Sequence, residues 1–211
     1  MDKREYSVLF LGKDRDTHTA RAAEFCRRHF AHANVHLGNW GEPLPDSARW
    51  WSGDIIVSYL SRWIVPEDLL NRAKITINFH PGSPEYPGYG CNNLAIYEGA
   101  RDYGVTCHHM APQVDTGAIV AVRRFPVLAT DDAGTLLLRA YDYQLVLFYE
   151  IAASLVYGGA LPVSEERWTR KPFTRKEFGA LARIAAGMDE AEIARRKRAT
   201  NVEALKTVAG T

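Results

Sequence analysis

Apolar residues gather along the chain in short continuous or alternating runs and, over longer stretches, recur with a helical period. The short runs at residues 7–11, 34–37, 54–59, 75–79, 104–110 and 118–126 predict strands; Ile55, Ile56 and Val57 make the middle of the third one apolar. Helical spacing covers residues 17–31, where Ala20, Ala23 and Phe30 are mixed with Arg and His. It covers residues 133–157 more strongly, with Leu136, Leu137, Ala140, Leu145, Phe148, Ile151 and Leu155. Asp131 and Asp132 stand before that helix as caps, and Gly158-Gly159 stops it. Shorter helices are predicted from Pro66 to about residue 71, with the proline in its favoured first turn, and over 91–99, ended by Gly99. Residues 1–5 read as a polar start and 41–51 as a loop or short helix. The opening order of strand, polar turn and helix predicts an α/β fold with a Rossmann-like first half.

From residue 161 the composition changes. Residues 163–169 predict a strand, Arg170-Lys171-Pro172 a break, and 174–186 and 189–199 two helices. Thr174 and Asp189 are suitable N-caps, and Glu177 completes a capping box with Thr174. The division expected is a catalytic domain over 1–160 and a C-terminal tail over 161–211 with two short helices. No internal repeat or low-complexity segment interrupts the chain.

At 211 residues the chain can bury a core without disulfides, and 46% hydrophobic with 24% charged residues is ordinary for a globular protein. A net charge of +1 gives no general polyanion surface, so no nucleic-acid partner is expected. Cys26, Cys91 and Cys107 have neither zinc nor disulfide spacing; alternation puts Cys107 on the core side, opposite Thr106 and His108. No signal peptide and no apolar run near 18 residues is present, so the expected location is cytoplasmic, with no membrane partner. The first turn lacks both G-x-G-x-x-G and a Walker sequence; it carries Lys13 and Arg15, as phosphate contacts or as solvated charges. Trp40, Trp50 and Trp51 either stack on a planar ligand ring or pack in the core.

The chemistry gathers between residues 75 and 120. Asn78 and His80 sit two apart at the end of a strand and so point the same way. PGSPEYPGYG follows, with three prolines and three glycines in ten residues, an ordered loop. A helix and a strand then lead to APQVDTG, which carries Asp115. Each residue type has a task in acyl transfer to an amine. An amide donates to a growing oxyanion, an imidazole moves protons, and a carboxylate orients the imidazole or a water. Asn-x-His alone is more often a turn with a satisfied histidine; the composite of three is rarer than its parts.

That composite resembles the formyltransferases that use 10-formyltetrahydrofolate. Their pattern, N-x-H-P-S-x-L-P-x-x-x-G, a helix, G-x-T-x-H and D-x-G, is similar to Asn78-Phe-His80-Pro81-Gly-Ser83, Tyr86-Pro-Gly88, Gly104-Val-Thr106-Cys-His108 and Asp115-Thr-Gly117. The likeness covers about residues 50–165; Gly82-Ser83-Pro84-Glu85 departs from the usual Ser-Leu-Leu-Pro. It implies a Rossmann-like formyltransferase fold, a mostly parallel sheet flanked by helices with a short helical tail. It implies Asn78, His80 and Asp115 as the catalytic set. Arg62, Trp63, Ile64, His108, Val114 and Asp115 would hold the folate, with no metal. Asn78 would hold the oxyanion, His80 would act as imidazolium, and Asp115 would orient His80 or a water and take the amine's proton. His109 would face away from the site.

The acceptor implied is a primary amine on a nucleotide-linked sugar, reached partly by elimination. Methionyl-tRNA formyltransferases carry a further C-terminal domain, and the glycine-and-serine phosphate turn of the ribonucleotide enzymes is missing here. Lys13, Arg15, Arg123, Arg124 and the basic residues of 170–176 are candidates for a diphosphate, and those of 194–200 for a diphosphate, RNA or solvent. The alternatives are hydrolysis of the same donor, as in the deformylases with their N-terminal regulatory domain, or transfer to a ribonucleotide or amino-acid amine. A non-catalytic folate- or nucleotide-binding module is a third class, against which the intact polar set argues. A homodimer is compatible with all of these.

Overall fold

The computed structural model describes residues 4–208; the first three residues of the polar start and the last three of the chain lie outside the described residues. Six strands form one sheet: β1 (Arg4–Lys13), β2 (Phe30–Gly38), β3 (Gly53–Tyr59), β4 (Ala73–His80), β5 (Asp102–His109) and β6 (Ile119–Pro126). Their order is β2-β1-β3-β4-β5-β6. The first four are parallel neighbours, β5 runs antiparallel to β4, and β6, antiparallel to β5, returns to the direction of the first four. This is the mostly parallel, helix-flanked, Rossmann-like sheet expected from the sequence.

The helices are α1 (Thr17–His29), α2 (Asp46–Arg49), α3 (Glu67–Leu70), α4 (Cys91–Glu98), α5 (Ala133–Val156), α6 (Arg175–Ala182), α7 (Glu190–Thr200) and α8 (Glu203–Val208). Strand alternation divides the apolar residues between two faces. Val8, Phe10, Val57, Ile77, Phe79 and Cys107 face the larger core with α1, α4 and α5. Leu9, Leu11 and Ile56 face a smaller one under α2 and α3, with Trp51 and Leu69. That second layer is thin. Over β4 and β5 the same face of the sheet carries Asn78, His80, Thr106 and His108 in place of apolar residues. Polar side chains there are possible because loops, and not a helix, cover them.

Caps set the helix ends. Asp16 accepts from the Thr19 N–H at 2.9 Å, and Asp132 forms a capping box with Thr135. Asp131, the other expected cap, instead accepts from the Leu128 N–H and pairs with Arg139. Pro66 is the N-cap of α3, extended at φ −69° and ψ 150°, and so stands just outside the first turn.

Several expected boundaries change. α1 stops at His29 because Phe30 pairs with Arg4 and opens β2, far ahead of residue 34. Segment 163–169 is not a strand: Ser164 donates to Ile119 O and Thr169 to Pro84 O, two isolated bonds without a ladder, and Val163 is 94% exposed. Among the described residues the tail carries three helices where two were expected. α6 ends at Ala182, four residues early, as Arg183 turns extended. The tail enters the main core with Leu181 and Ala199, and Asn93 of α4 donates to Ala199 O at 2.7 Å. Among the described residues no helix is long and apolar enough to cross a membrane.

Candidate active site

Asn78 and His108 are opposite rungs of the β4–β5 ladder, so their side chains share a face. The Asn78 Nδ2 lies 3.0 Å from His108 Nε2. The segment after β5 then folds back and delivers Asp115 into the same place. Two backbone features allow that return. Asp115 takes the left-handed region at φ +50°, where a residue other than glycine is held at some cost. At Gly117 a Cβ would stand 1.8 Å from His109 O, so only glycine fits. A register shift in β6 opposite Cys107 and His108 adds the local twist expected of a bulge beside a site.

Asp115 is 4% exposed and holds three partners. Its Oδ1 is 3.2 Å from His108 Nε2, its Oδ2 is 3.2 Å from His80 Nδ1, and Oδ2 accepts the Gly88 N–H at 2.9 Å. The other nitrogen of His80, Nε2, lies 2.9 Å from the Tyr86 carbonyl oxygen. Nε2 thus donates to the Tyr86 carbonyl, and Nδ1 lies within ion-pair distance of the Asp115 carboxylate. Burial opposes a charge on His80, but the Asp115 carboxylate outweighs it, with help from Cys91 and the Tyr86 carbonyl, and raises the His80 pKa to about 9. Burial likewise pushes Asp115 up, and the His80 charge, His108 and the Gly88 N–H outweigh it, holding its carboxyl at about 2. His80 and Asp115 form a buried ion pair.

His108 is placed differently. Its Nδ1 donates to His109 O at 2.8 Å, so His109 serves the site with its backbone. Its Nε2 can accept from the Asn78 amide or donate to Asp115, and not both at once. In the neutral form it accepts from Asn78, which fixes the amide with one N–H on His108 and the second left over.

The proline- and glycine-rich loop is tied down as its composition implied. Thr106 Oγ1 donates to Gly82 O at 2.7 Å and Tyr103 OH to Pro81 O at 2.8 Å. A Cβ at Gly82 would stand 2.5 Å from His80 Nε2, so the departure Gly82-Ser83 makes room for the His80–Tyr86 bond. Around Gly88 the tail closes on this loop: Phe173 donates to Pro87 O and Tyr89 to Phe173 O, at 2.9 and 2.8 Å.

These groups form the floor of a cleft of about 510 Å³. Asn78, His80, Asp115, Arg62, Trp63, Ile64, His108 and Val114 all line it. Ile64 is 73% exposed and Val114 46%, so the rim is apolar above a charged floor. Sequence reasoning missed Trp168, whose ring meets His80 and His108 edge-on at 5.8 and 5.1 Å while its Nε1 donates to Gly117 O. It also missed Tyr141 and the side chain of Tyr89 in the lining. No local signal marked these three.

Of the tryptophans, Trp40 lines the cleft, Trp51 is in the smaller core, and Trp50 lies on the surface between Arg49 and Arg72. Most of the basic candidates are engaged elsewhere. Lys13 pairs with Asp16, Arg15 with Asp14, Arg123 with Glu150, and Arg124 with Glu85 and Glu166. In the tail, Arg195 and Arg196 bind Glu192, and Arg198 donates to the carbonyls of Asp131 and Ala129. Among the described residues no group of three or more His, Cys, Asp or Glu is arranged to hold a metal ion.

The formyl transferase family model matches residues 42–150. A methionyl-tRNA formyltransferase of Enterococcus faecalis is 31% identical over 141 residues, 65% of this chain and 45% of the relative. The chain spans less than half the length of the methionyl-tRNA formyltransferases it matches in Enterococcus faecalis and Levilactobacillus brevis. Among solved structures, a Mycobacterium tuberculosis protein considered a sugar N-formyltransferase superposes with a TM-score of 0.75 at 21% identity, over 94% of this chain and 88% of that one. An N-formyltransferase of Helicobacter canadensis, solved with folinic acid and dTDP-3-aminofucose, gives a TM-score of 0.73 at 19% identity, over 92% and 80%. Likeness at such identity speaks to the fold.

Proposed function

Because the chain belongs to the formyl transferase family, we propose that it transfers a formyl group from 10-formyltetrahydrofolate to a primary amine, with Asn78, His80 and Asp115 as the catalytic set. The observation that carries this reading is the connected floor of the cleft, Asn78 to His108 to Asp115 to His80. Four polar side chains converge there, each within 3.2 Å of the next, and one Asn78 amide N–H is left for a ligand.

A folate suits the lining. The apolar rim of Trp63, Ile64 and Val114 takes a flat heteroaromatic ring, and the polar floor takes its reactive arm. When bound, the donor brings an activated formyl carbon. The amine nitrogen bonds to that carbon, the bond from carbon to the donor nitrogen breaks, the amine gives up a proton and the donor nitrogen gains one. Asn78 offers its spare N–H to the formyl oxygen, where negative charge grows. His80, charged beside Asp115 and with its Nε2–H on the Tyr86 carbonyl, acts on that oxygen through its field. Asp115 holds the His80 imidazolium in place. The expected role of Asp115 as proton acceptor fits poorly, because a carboxyl held at about 2 is a weak base.

The acceptor in this reading is a nucleotide-linked amino sugar. Its support is the likeness, over nearly the whole chain, to a protein considered a sugar N-formyltransferase and to an N-formyltransferase solved with dTDP-3-aminofucose. The test is release of tetrahydrofolate, followed by absorbance, with amino-sugar nucleotides, glycinamide ribonucleotide, amino acids, methionyl-tRNA and no amine. Release that depends on an amino-sugar nucleotide is expected. Release without any amine points to hydrolysis, and release with another acceptor alone overturns the sugar.

A further inference from the structure

Three chain segments meet at the mouth of the cleft. Trp40 follows β2, Arg62 follows β3, and Arg175 opens α6. The Arg175 guanidinium lies 4.1 Å from the Trp40 ring centroid and 5.2 Å from that of Tyr89; the Arg62 guanidinium lies 4.9 Å from Trp40. All four residues line the cleft. Among the described residues neither arginine makes an ion pair with a carboxylate. Their neighbours are already used. Glu177 accepts from Thr174 and faces Lys171, and Glu42 accepts from Asn39. Arg170, close by in the tail, is held in two bonds by Glu98.

Two like charges on one indole repel each other, and the ring face offsets only part of that. An oxyanion between them would remove the repulsion and use the planar donor forks that stacking leaves free at the edges. Trp40 is 54% exposed, so the ring that organises the pair is itself open to a ligand. Arg175 is not loosely placed. The backbone bonds of Phe173 to Pro87 and Tyr89, and the Thr174 cap, fix the residues just before it.

We propose that Arg62 and Arg175, flanking Trp40, form an anion subsite that holds the phosphate groups of the amine acceptor, with Arg175 of the tail deciding for phosphorylated acceptors. This rests on the transfer reading above. Carboxylates on the donor's tail share the oxyanion chemistry, so the experiment separates the two sources.

Calorimetric titrations of the full chain would use inorganic pyrophosphate and, separately, 5-formyltetrahydrofolate, on wild type, Arg175→Ala and Arg175→Lys. Pyrophosphate affinity should fall about tenfold or more in Arg175→Ala and less in Arg175→Lys, with 5-formyltetrahydrofolate affinity unchanged. Pyrophosphate binding that is absent from wild type, or equal in Arg175→Ala, overturns the subsite. Loss of 5-formyltetrahydrofolate affinity in Arg175→Ala overturns the acceptor in favour of the donor. Pyrophosphate binding that needs Arg175, in a wild type that formylates no amine, keeps the subsite and removes the transfer reading.

Discussion

Asn78 has one N–H on His108 and one to spare, and that spare group is the simplest thing to remove. Asn78→Ala should lower kcat by about a hundredfold or more, as loss of an oxyanion donor does. Its melting temperature should stay within a few degrees of wild type; wild-type turnover at saturating substrate would reject the role. The His80–Asp115 pair gives a different kind of test. His80 has a folded pKa of about 9, above the ordinary 6.5. Its contribution to stability is therefore whole below 6.5 and lost as the pH rises through about 9. Asp115 has a folded pKa of about 2, below the ordinary 3.8, so its contribution is whole above 3.8 and lost as the pH falls through about 2. The gap in melting temperature between wild type and Asp115→Asn should be widest from pH 3.8 to 6.5 and narrow on both sides. A gap that stays constant from there to pH 9 would mean the pair is not ionised.

At the scale of elements, the connection from β5 to β6 carries the tightest constraint. With His109 O 1.8 Å from where a Cβ would be, Gly117→Ala must move the His109–Ala118 pairing or Asp115 itself. We expect a loss of about 1–3 kcal/mol in urea titration together with a loss of activity; an unchanged midpoint would show that the loop adapts. The elements were also where pattern reading served best and where its limits have clear causes. Strands with β-branched, apolar centres, such as 54–59 and 75–79, read plainly. β2 is an edge strand, and more than half its length was missed because Phe30 and Ala31 continue the helical spacing of α1 into its start. Asn78, His80 and Asp115 were legible because two share a strand face and the third follows in a short loop. Trp168 was not, because it reaches Gly117 from 51 residues away and no local period records that contact.

For the molecule as a whole, the tail is part of the body that shapes the cleft. Trp168 backs the two histidines, Phe173 is paired with the loop at Gly88, and Leu181 and Ala199 share the main core. A chain cut after residue 160 would leave these surfaces bare. We expect it to bind a hydrophobic dye strongly and to lose cooperative thermal unfolding. A truncated chain with a sharp transition near that of the full chain would show that residues 1–160 stand alone. A milder version is Asn93→Ala, which removes the bond to Ala199 O. It should cost about 1–3 kcal/mol and make α7 an earlier target of limited proteolysis than in wild type.

The facing of Asn78 and His108 across two strands also governs how such a sequence can diverge. Each side chain reaches the cleft only because its place in its strand has the right parity. One residue added between 102 and 108 would turn Cys107 toward the cleft and His108 into the core. Two added residues would restore the facing but move the pair by a rung. One residue added in the surface loop at 39–45 would disturb neither strand. Length changes among related chains should therefore collect in loops, and β4 and β5 should lengthen or shorten by whole pairs of residues or stay as they are.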